Sequence, residues 1–297
     1  MDISPIPVDL IHHSLWNNRD ITLGILRLDQ IHPFVSGNKW FKLHQNAVQF
    51  QSGDFSHLLT FGGAFSNHLH ATAHYCNQHK IPCIGIVRGE ELKVDSNPTL
   101  QDCAALGMAL YFVPRAEYRL KEHGATARSL ASRHQICFVP EGGDNPAGRA
   151  GAAGIMEHIP GSWGHIAVSI GTGTTIKGMM DAAPPDMVFL GCTSVRNDKN
   201  VFLACEAAAR QRNFQWIDQY HFGGFGRYNN ELITFVKAFH EQFRIPLDIV
   251  YTAKMMYGIL DMLGKGMLSP GSRILCVHTG GLQGNRSVPG LKEGEKK

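Results

Sequence analysis

Residues 165–180 read HIAVSIGTGTTIKGMM. An apolar run passes through two glycines separated by a threonine and continues into a small-residue amphipathic segment. A buried strand that ends in glycine and feeds a helix is the building unit of parallel sheets with crossover helices. In such sheets ligands settle at the carboxyl ends of the strands. Gly171 and Gly173 let the backbone approach a ligand. The loop amides and the positive helix end suit an anion, and Thr172, Thr174 and Thr175 add hydroxyl donors. The loop is neither GxGxxG, because Ile176 takes the third glycine's place, nor GxxxxGK[ST]. It reads as a small phosphate cup or as a glycine-rich turn with threonine caps.

The same grammar extends outward. HLLTFGG, IPCIGIVRG, MALYFVP, ICFVPEGG, MVFLGCTSV and SRILCVHTGG read as further strands. Helices are expected from Ser66 to about His79 and over PTLQDCAALG, YRLKEHGATARSLASRH, AGRAGAAGIMEHI, NVFLACEAAARQRN, NELITFVKAFHEQF and AKMMYGILDMLGKG. Several strands are continuous apolar runs, as in sheets covered on both faces. Four strand exits carry glycine: TFGGAFSN, VPEGGDN, SIGTGTT and VHTGG. The fold class is α/β. The 297 residues allow one large or two moderate domains, and with no repeat or low-complexity linker a second domain is expected as an insertion.

Composition narrows the function. The net charge of +3 is too mild and too scattered for a nucleic-acid binder. No stretch approaches the ~18 apolar residues of a membrane span, and the N-terminus lacks a basic segment followed by an apolar run. Seven cysteines without CxxC spacing read as buried reduced thiols. A cytoplasmic protein is expected, with KEGEKK at residues 292–297 as a frayed tail.

Two further motifs carry chemistry. In GGAFSNHLHATAHYC, Ser66 falls at a helix N-cap, with Asn67 and His68 in the first turn. His70 and His74 have the i,i+4 spacing of zinc ligands. The glutamate of HExxH and an obvious third ligand are missing, so no metal is expected, with a zinc hydrolase as a minor alternative. In SGNKWFKL, Lys39 follows a Gly37-Asn38 turn, and Lys42 lies one helical turn on. Either both are solvated, or Lys39 is a nucleophile of depressed basicity with Lys42 as the neighbouring cation or a phosphate partner.

SGNKWFKL, FGGAFSNH, IGTGTTIKGM, VYTAKMMYGILDML and VHTGG occur in an order and spacing that resembles the pyridoxal-phosphate enzymes of the tryptophan synthase β fold (fold type II). Within them the chain is similar to the D-cysteine desulfhydrase and 1-aminocyclopropane-1-carboxylate (ACC) deaminase group, over roughly Ile31 to Gly281. The resemblance implies two open, twisted, mostly parallel sheets flanked by helices. A large cofactor domain would comprise residues 1–43 and 151–297, with a smaller domain, 44–150, inserted in it. It implies pyridoxal 5′-phosphate as cofactor, a small amino-acid substrate and a homodimer. Lys39 would carry the cofactor and Lys42 would lie near its phosphate. Gly171, Thr172, Gly173, Thr174 and Thr175 would form the phosphate loop. Ser66 would sit at the substrate's reactive side, Asn67 on the 3′-oxygen, His68 near the substrate carboxylate, Tyr251 facing the substrate and Thr279 beside the pyridine nitrogen.

Three departures bear on the substrate. Thr252 stands where ACC deaminases carry glutamate, and Thr279 where they carry an aliphatic residue; both resemble the desulfhydrase pattern. Opening a cyclopropane that lacks a removable α-hydrogen needs a strong electron sink, whereas β-elimination of thiolate tolerates threonine. Phe225, at the substrate position, replaces the tyrosine of the group's usual YG pair, with Tyr228 as a substitute hydroxyl. The expected reaction is β-elimination on D-cysteine or a related β-substituted amino acid, giving pyruvate, ammonia and sulfide. The alternatives are ACC deamination to 2-oxobutyrate and ammonia, or cofactor binding without substantial turnover.

Overall fold

A computed structural model describes residues 5–13, 16, 19–196, 198–209 and 212–291. The expected tail at 292–297 lies outside the described residues. The elements in chain order are β1 (Val8–Ile11), β2 (Thr22–Leu26), α1 (Asn38–Ser52), β3 (His57–Gly62), α2 (Asn67–Gln78), β4 (Cys83–Arg88) and α3 (Pro98–Ala105). Next come β5 (Ala109–Val113), α4 (Arg115–Tyr118), α5 (Ala125–Ala131), β6 (Ile136–Val139), α6 (Pro146–Ala153), β7 (His165–Ile170) and α7 (Thr174–Ala182). The chain closes with β8 (Val188–Thr193), α8 (Lys199–Ala209), β9 (Asn213–Ile217), α9 (Asn230–Phe243), α10 (Thr252–Gly264) and β10 (Arg273–Val277).

The strands make two sheets. One runs β1-β2-β10-β7-β8-β9, parallel except for the β1–β2 pair. The other runs β5-β4-β3-β6 and is parallel throughout. All four strands of the smaller sheet fall between β2 and β7 in sequence, so it is inserted in the larger. We propose the expected divisions after residues 43 and 150 as the limits of that insertion, with α1 shared between the two parts.

The continuous apolar runs are explained by their two faces. Along β7, Ala167 packs into one core, while Ile166, Val168 and Ile170 pack into the core on the opposite side. Along β10, Ile274 and Cys276 take the first side and Leu275 and Val277 the second. The smaller sheet repeats this, with Leu58 on one face of β3 and Leu59 and Phe61 on the other. Each fully buried side chain of this kind stabilises by ~1.5–3 kcal/mol. All seven cysteines are free and buried.

Three strands escaped the sequence reading. β1 and β2 are short. β9 is an edge strand that is partly exposed over most of its length, so it lacks the apolar run; Asn213 begins it rather than ending a helix. The expected long helix over 118–134 is broken, because Lys121 takes φ +51° and only Ala125–Ala131 is α-helical before β6.

Arg27, 5% exposed, pairs with Asp9 at 2.5 Å and with the buried Asp29 at 2.7 Å. It thereby ties β1 to the turn after β2. Arg27→Met should lower stability by ~3–5 kcal/mol, because it strands a buried carboxylate. Chemical denaturation at neutral pH would measure the loss.

Candidate active site

The ends of β3, β6, β7 and β10 converge on the start of α1. Gly37, the residue before α1, has φ +69° and ψ −152°, a region essentially limited to glycine. A Cβ there would lie 1.9 Å from the Thr279 carbonyl oxygen. The turn is thus packed against the exit of β10 with no space between them. Lys39 sits in the first turn of α1, and its Nζ donates to Asn38 Oδ1 at 2.9 Å. Asn38 Nδ2 donates to Thr175 Oγ1 at 2.7 Å, so one amide links the lysine to the glycine-rich loop. Burial pushes the Lys39 amine down to about 8, against the attraction of Asp248. Lys42 is 2% exposed and donates to the Gly142 carbonyl at 3.0 Å. Burial holds it well below the usual lysine range, reinforced by Lys39 and opposed by Asp144. Neither is a solvated surface lysine.

The loop of residues 171–175 closes the other side. Gly173, with φ +80°, caps α7, and a Cβ on it would meet Cys205 Sγ at 2.8 Å. A Cβ on Gly171 would lie 3.1 Å from the Tyr251 ring. Thr174 is fully buried. Its Oγ1 lies 2.8 Å from Thr172 Oγ1 and donates to Asp144 Oδ1 at 2.6 Å.

Ser66 is the N-cap of α2, its Oγ accepting from the Leu69 amide at 3.2 Å. Asn67 Oδ1 accepts from Gln283 Nε2, and the bare Cα of Gly281 leaves room for the Asn67 amide. His68, 3% exposed, has Nε2 at 2.8 Å from Thr60 Oγ1. Thr60 spends its own proton on the Val139 carbonyl, so His68 Nε2 donates. His68 Nδ1 is buried without a partner in the chain. Burial, then Lys39 and Lys42, hold the ring neutral.

Tyr251 precedes α10, and Phe225 packs edge-on against it at 5.9 Å between ring centres. Phe225 is 53% exposed, so it stands at the mouth of the site rather than in its floor. Tyr228 is also exposed. Thr252 turns inward: its Oγ1 accepts from the Asp248 amide at 2.8 Å, and Asp248 Oδ1 accepts from the Tyr251 and Thr252 amides at 2.7 and 3.2 Å. Thr279 is buried beside Gly37.

Sequence reasoning passed over Asp248. It is 1% exposed, and burial raises its carboxyl to about 7 against the helix amides, Lys254 and Lys39. No spacing announces it, since Asp248 and Thr252 are four apart with the carboxylate first, unlike a capping box. Asp144, Lys177 and Gln283 were also missed, because their places depend on loops far apart in sequence. The His70 and His74 rings lie 4.6 Å apart, but His70 Nε2 bonds Asp102 at 3.1 Å. Asp102 also holds Arg286 at 2.5 Å, while His74 stacks on Phe34. Among the described residues no group of three or more such side chains is placed to hold a metal ion.

These groups together suit a phosphorylated aldehyde: a lysine of lowered basicity, a cup of loop amides and hydroxyls, and a second buried cation. The fold and site therefore define an α/β enzyme with a lysine at the converging strand ends. Residues 26–280 match the family described as pyridoxal-phosphate dependent enzyme, and the chain belongs to that family. Pyridoxal phosphate is its cofactor. A Pyrococcus horikoshii protein provisionally named as a 1-aminocyclopropane-1-carboxylate deaminase is 26% identical over 267 residues, covering 84% of this chain and 81% of the relative. The bifunctional D-cysteine desulfhydrase/1-aminocyclopropane-1-carboxylate deaminase of Arabidopsis thaliana, a mitochondrial protein, is 26% identical over 306 residues, 91% of this chain and 73% of its own. Among solved structures, an ACC deaminase homologue superposes with a TM-score of 0.81 at 21% identity, covering 95% of this chain and 91% of the other. Among the described residues no helix is long and apolar enough to cross a membrane.

Proposed function

We propose that this enzyme eliminates the β-substituent of a small amino acid, with D-cysteine as first substrate and pyruvate, ammonia and sulfide as products. The observation that carries this reading is the inward turn of Thr252. Its hydroxyl accepts from the Asp248 amide, and the Asp248 carboxylate accepts from the amides at the start of α10, so position 252 supplies no acid to strengthen the electron sink as ring opening of ACC requires. ACC deamination is the second reading, favoured by the names of the relatives.

When bound, pyridoxal phosphate supplies the sink for carbanion charge. Lys39 would hold the cofactor, and its amine would move the α-proton of the substrate. Lys42 and the loop of residues 171–175 would hold the phosphate. Asn67, steadied by Gln283, would orient the ring, and Thr279 would serve its nitrogen. Ser66 would lie at the reacting side, and the backbone amides of Asn67 and His68 would receive the carboxylate, with the His68 ring, its Nε2–H held by Thr60, close by. Tyr251 and Phe225 wall the substrate side chain. We also propose a homodimer in the cytoplasm.

The decisive experiment adds D-cysteine or ACC to the yellow holoenzyme. A shift of the visible band with pyruvate accumulating supports elimination. Formation of 2-oxobutyrate from ACC, with D-cysteine inert, replaces it with the second reading. The rate of cofactor capture by apoenzyme should rise with pH through about 8, the value to which burial lowers Lys39, because only the neutral amine attacks an aldehyde. A rate flat between pH 6 and 9 would contradict this assignment.

A further inference from the structure

Asp144 stands where the phosphate cup would take an anion. Its Oδ1 accepts from Thr174 Oγ1 at 2.6 Å and from Lys177 Nζ at 3.2 Å. Thr174 opens α7, and Lys177 lies one turn further along it. One carboxylate thus engages a hydroxyl and an ammonium at the cup, and its field also reaches Lys42. The Asp144 side chain is 39% exposed and that of Lys177 only 13%. The carboxylate has solvent to turn into, whereas the ammonium is confined to the cup. A carboxylate beside a phosphate dianion is repelled, and the repulsion is strong in partly buried surroundings.

We propose that Asp144 and Lys177 form a latch on the phosphate cup. Asp144 holds the Thr174 hydroxyl and Lys177 and competes with the phosphate for both. Loading turns the carboxylate outward and transfers both donors to the phosphate. This rests on the reading of residues 171–175 as the phosphate site. No bond to carbon or phosphorus is made or broken; one anion replaces another at the same donors.

The test measures equilibrium binding of pyridoxal phosphate and of pyridoxal, which lacks the phosphate, to the apoprotein by the visible band of the lysine adduct. Equal affinity of the unaltered protein for both would remove the cup reading itself, and the latch with it. With pyridoxal phosphate the tighter, Asp144→Asn, which keeps size and an acceptor oxygen but loses charge, should tighten its binding ~10-fold. Lys177→Met should weaken it by a similar factor. Neither should change pyridoxal binding. Inorganic phosphate should compete more strongly in Asp144→Asn. If Asp144→Asn binds pyridoxal phosphate no more tightly, or shifts both aldehydes equally, the latch is overturned while the cup stands.

Discussion

Lys39→Ala is expected to yield a protein that folds, binds pyridoxal phosphate weakly and non-covalently, and turns over no substrate. The amine is confined between Asn38, which accepts from it at 2.9 Å, and the field of Asp248. Loss of proton transfer alone lowers the rate by ~10²–10⁴-fold. The lost covalent capture adds to this, so the combined loss should exceed ~10³-fold. The visible band of the lysine adduct should vanish. Lys42→Ala should keep the band and loosen the cofactor, since Lys42 faces the Gly142 carbonyl and Asp144. The opposite pattern, with the band lost only in Lys42→Ala, would reverse the two roles. Stability should scarcely change in Lys39→Ala, because removing a desolvated amine that has one side-chain acceptor relieves as much as it loses.

The largest structural effect is expected from Gly37→Ala. Alanine at φ +69°, ψ −152° carries ~1–3 kcal/mol of backbone strain. Its Cβ would overlap the Thr279 carbonyl oxygen at 1.9 Å and Gly280 N at 2.7 Å. Both obstacles are backbone, so no rotamer change relieves them. The start of α1 must then move off the exit of β10, taking Lys39 with it. A loss of ~3 kcal/mol or more in stability is expected, or roughly 6–12 °C in Tm, together with a large drop in cofactor affinity. Gly271→Ala provides the control. It shares a positive φ of +78° but meets nothing within 4 Å, so it should show only the backbone strain and no loss of cofactor. Equal effects from the two substitutions would remove the close approach of Gly37 as the cause.

The alternation of apolar strands with helices was legible because a strand covered on both faces must be apolar along its whole length, as 165–170 is. The glycine exits were legible for a related reason: backbone that must pass near a ligand or another strand end excludes a Cβ. Edge strands were not. β9 is only partly buried, so its residues follow no pattern that burial imposes. The two lysines of SGNKWFKL could not be told from solvated ones by spacing alone. Their desolvation depends on strand ends 100 residues or more away, such as Gly142 and Thr279.

By itself the sequence determined the α/β class, the inserted order of the smaller sheet, the cofactor family and the elements that bear Lys39, Asn67 and the loop of residues 171–175. The class and the element positions follow from local rules: periodicity, caps and glycines at strand ends; the cofactor family rests on the resemblance of five motifs in their order and spacing. Only the tertiary structure decided that Asp248 faces Lys39, that the Thr252 hydroxyl turns to the Asp248 amide, that Gln283 steadies Asn67 and that Asp144 bonds Thr174 and Lys177. Each of these places a charge or an amide by burying it against a loop distant in sequence. The energy of such a contact depends on desolvation and on a few ångströms of separation, and no pattern along the chain encodes either.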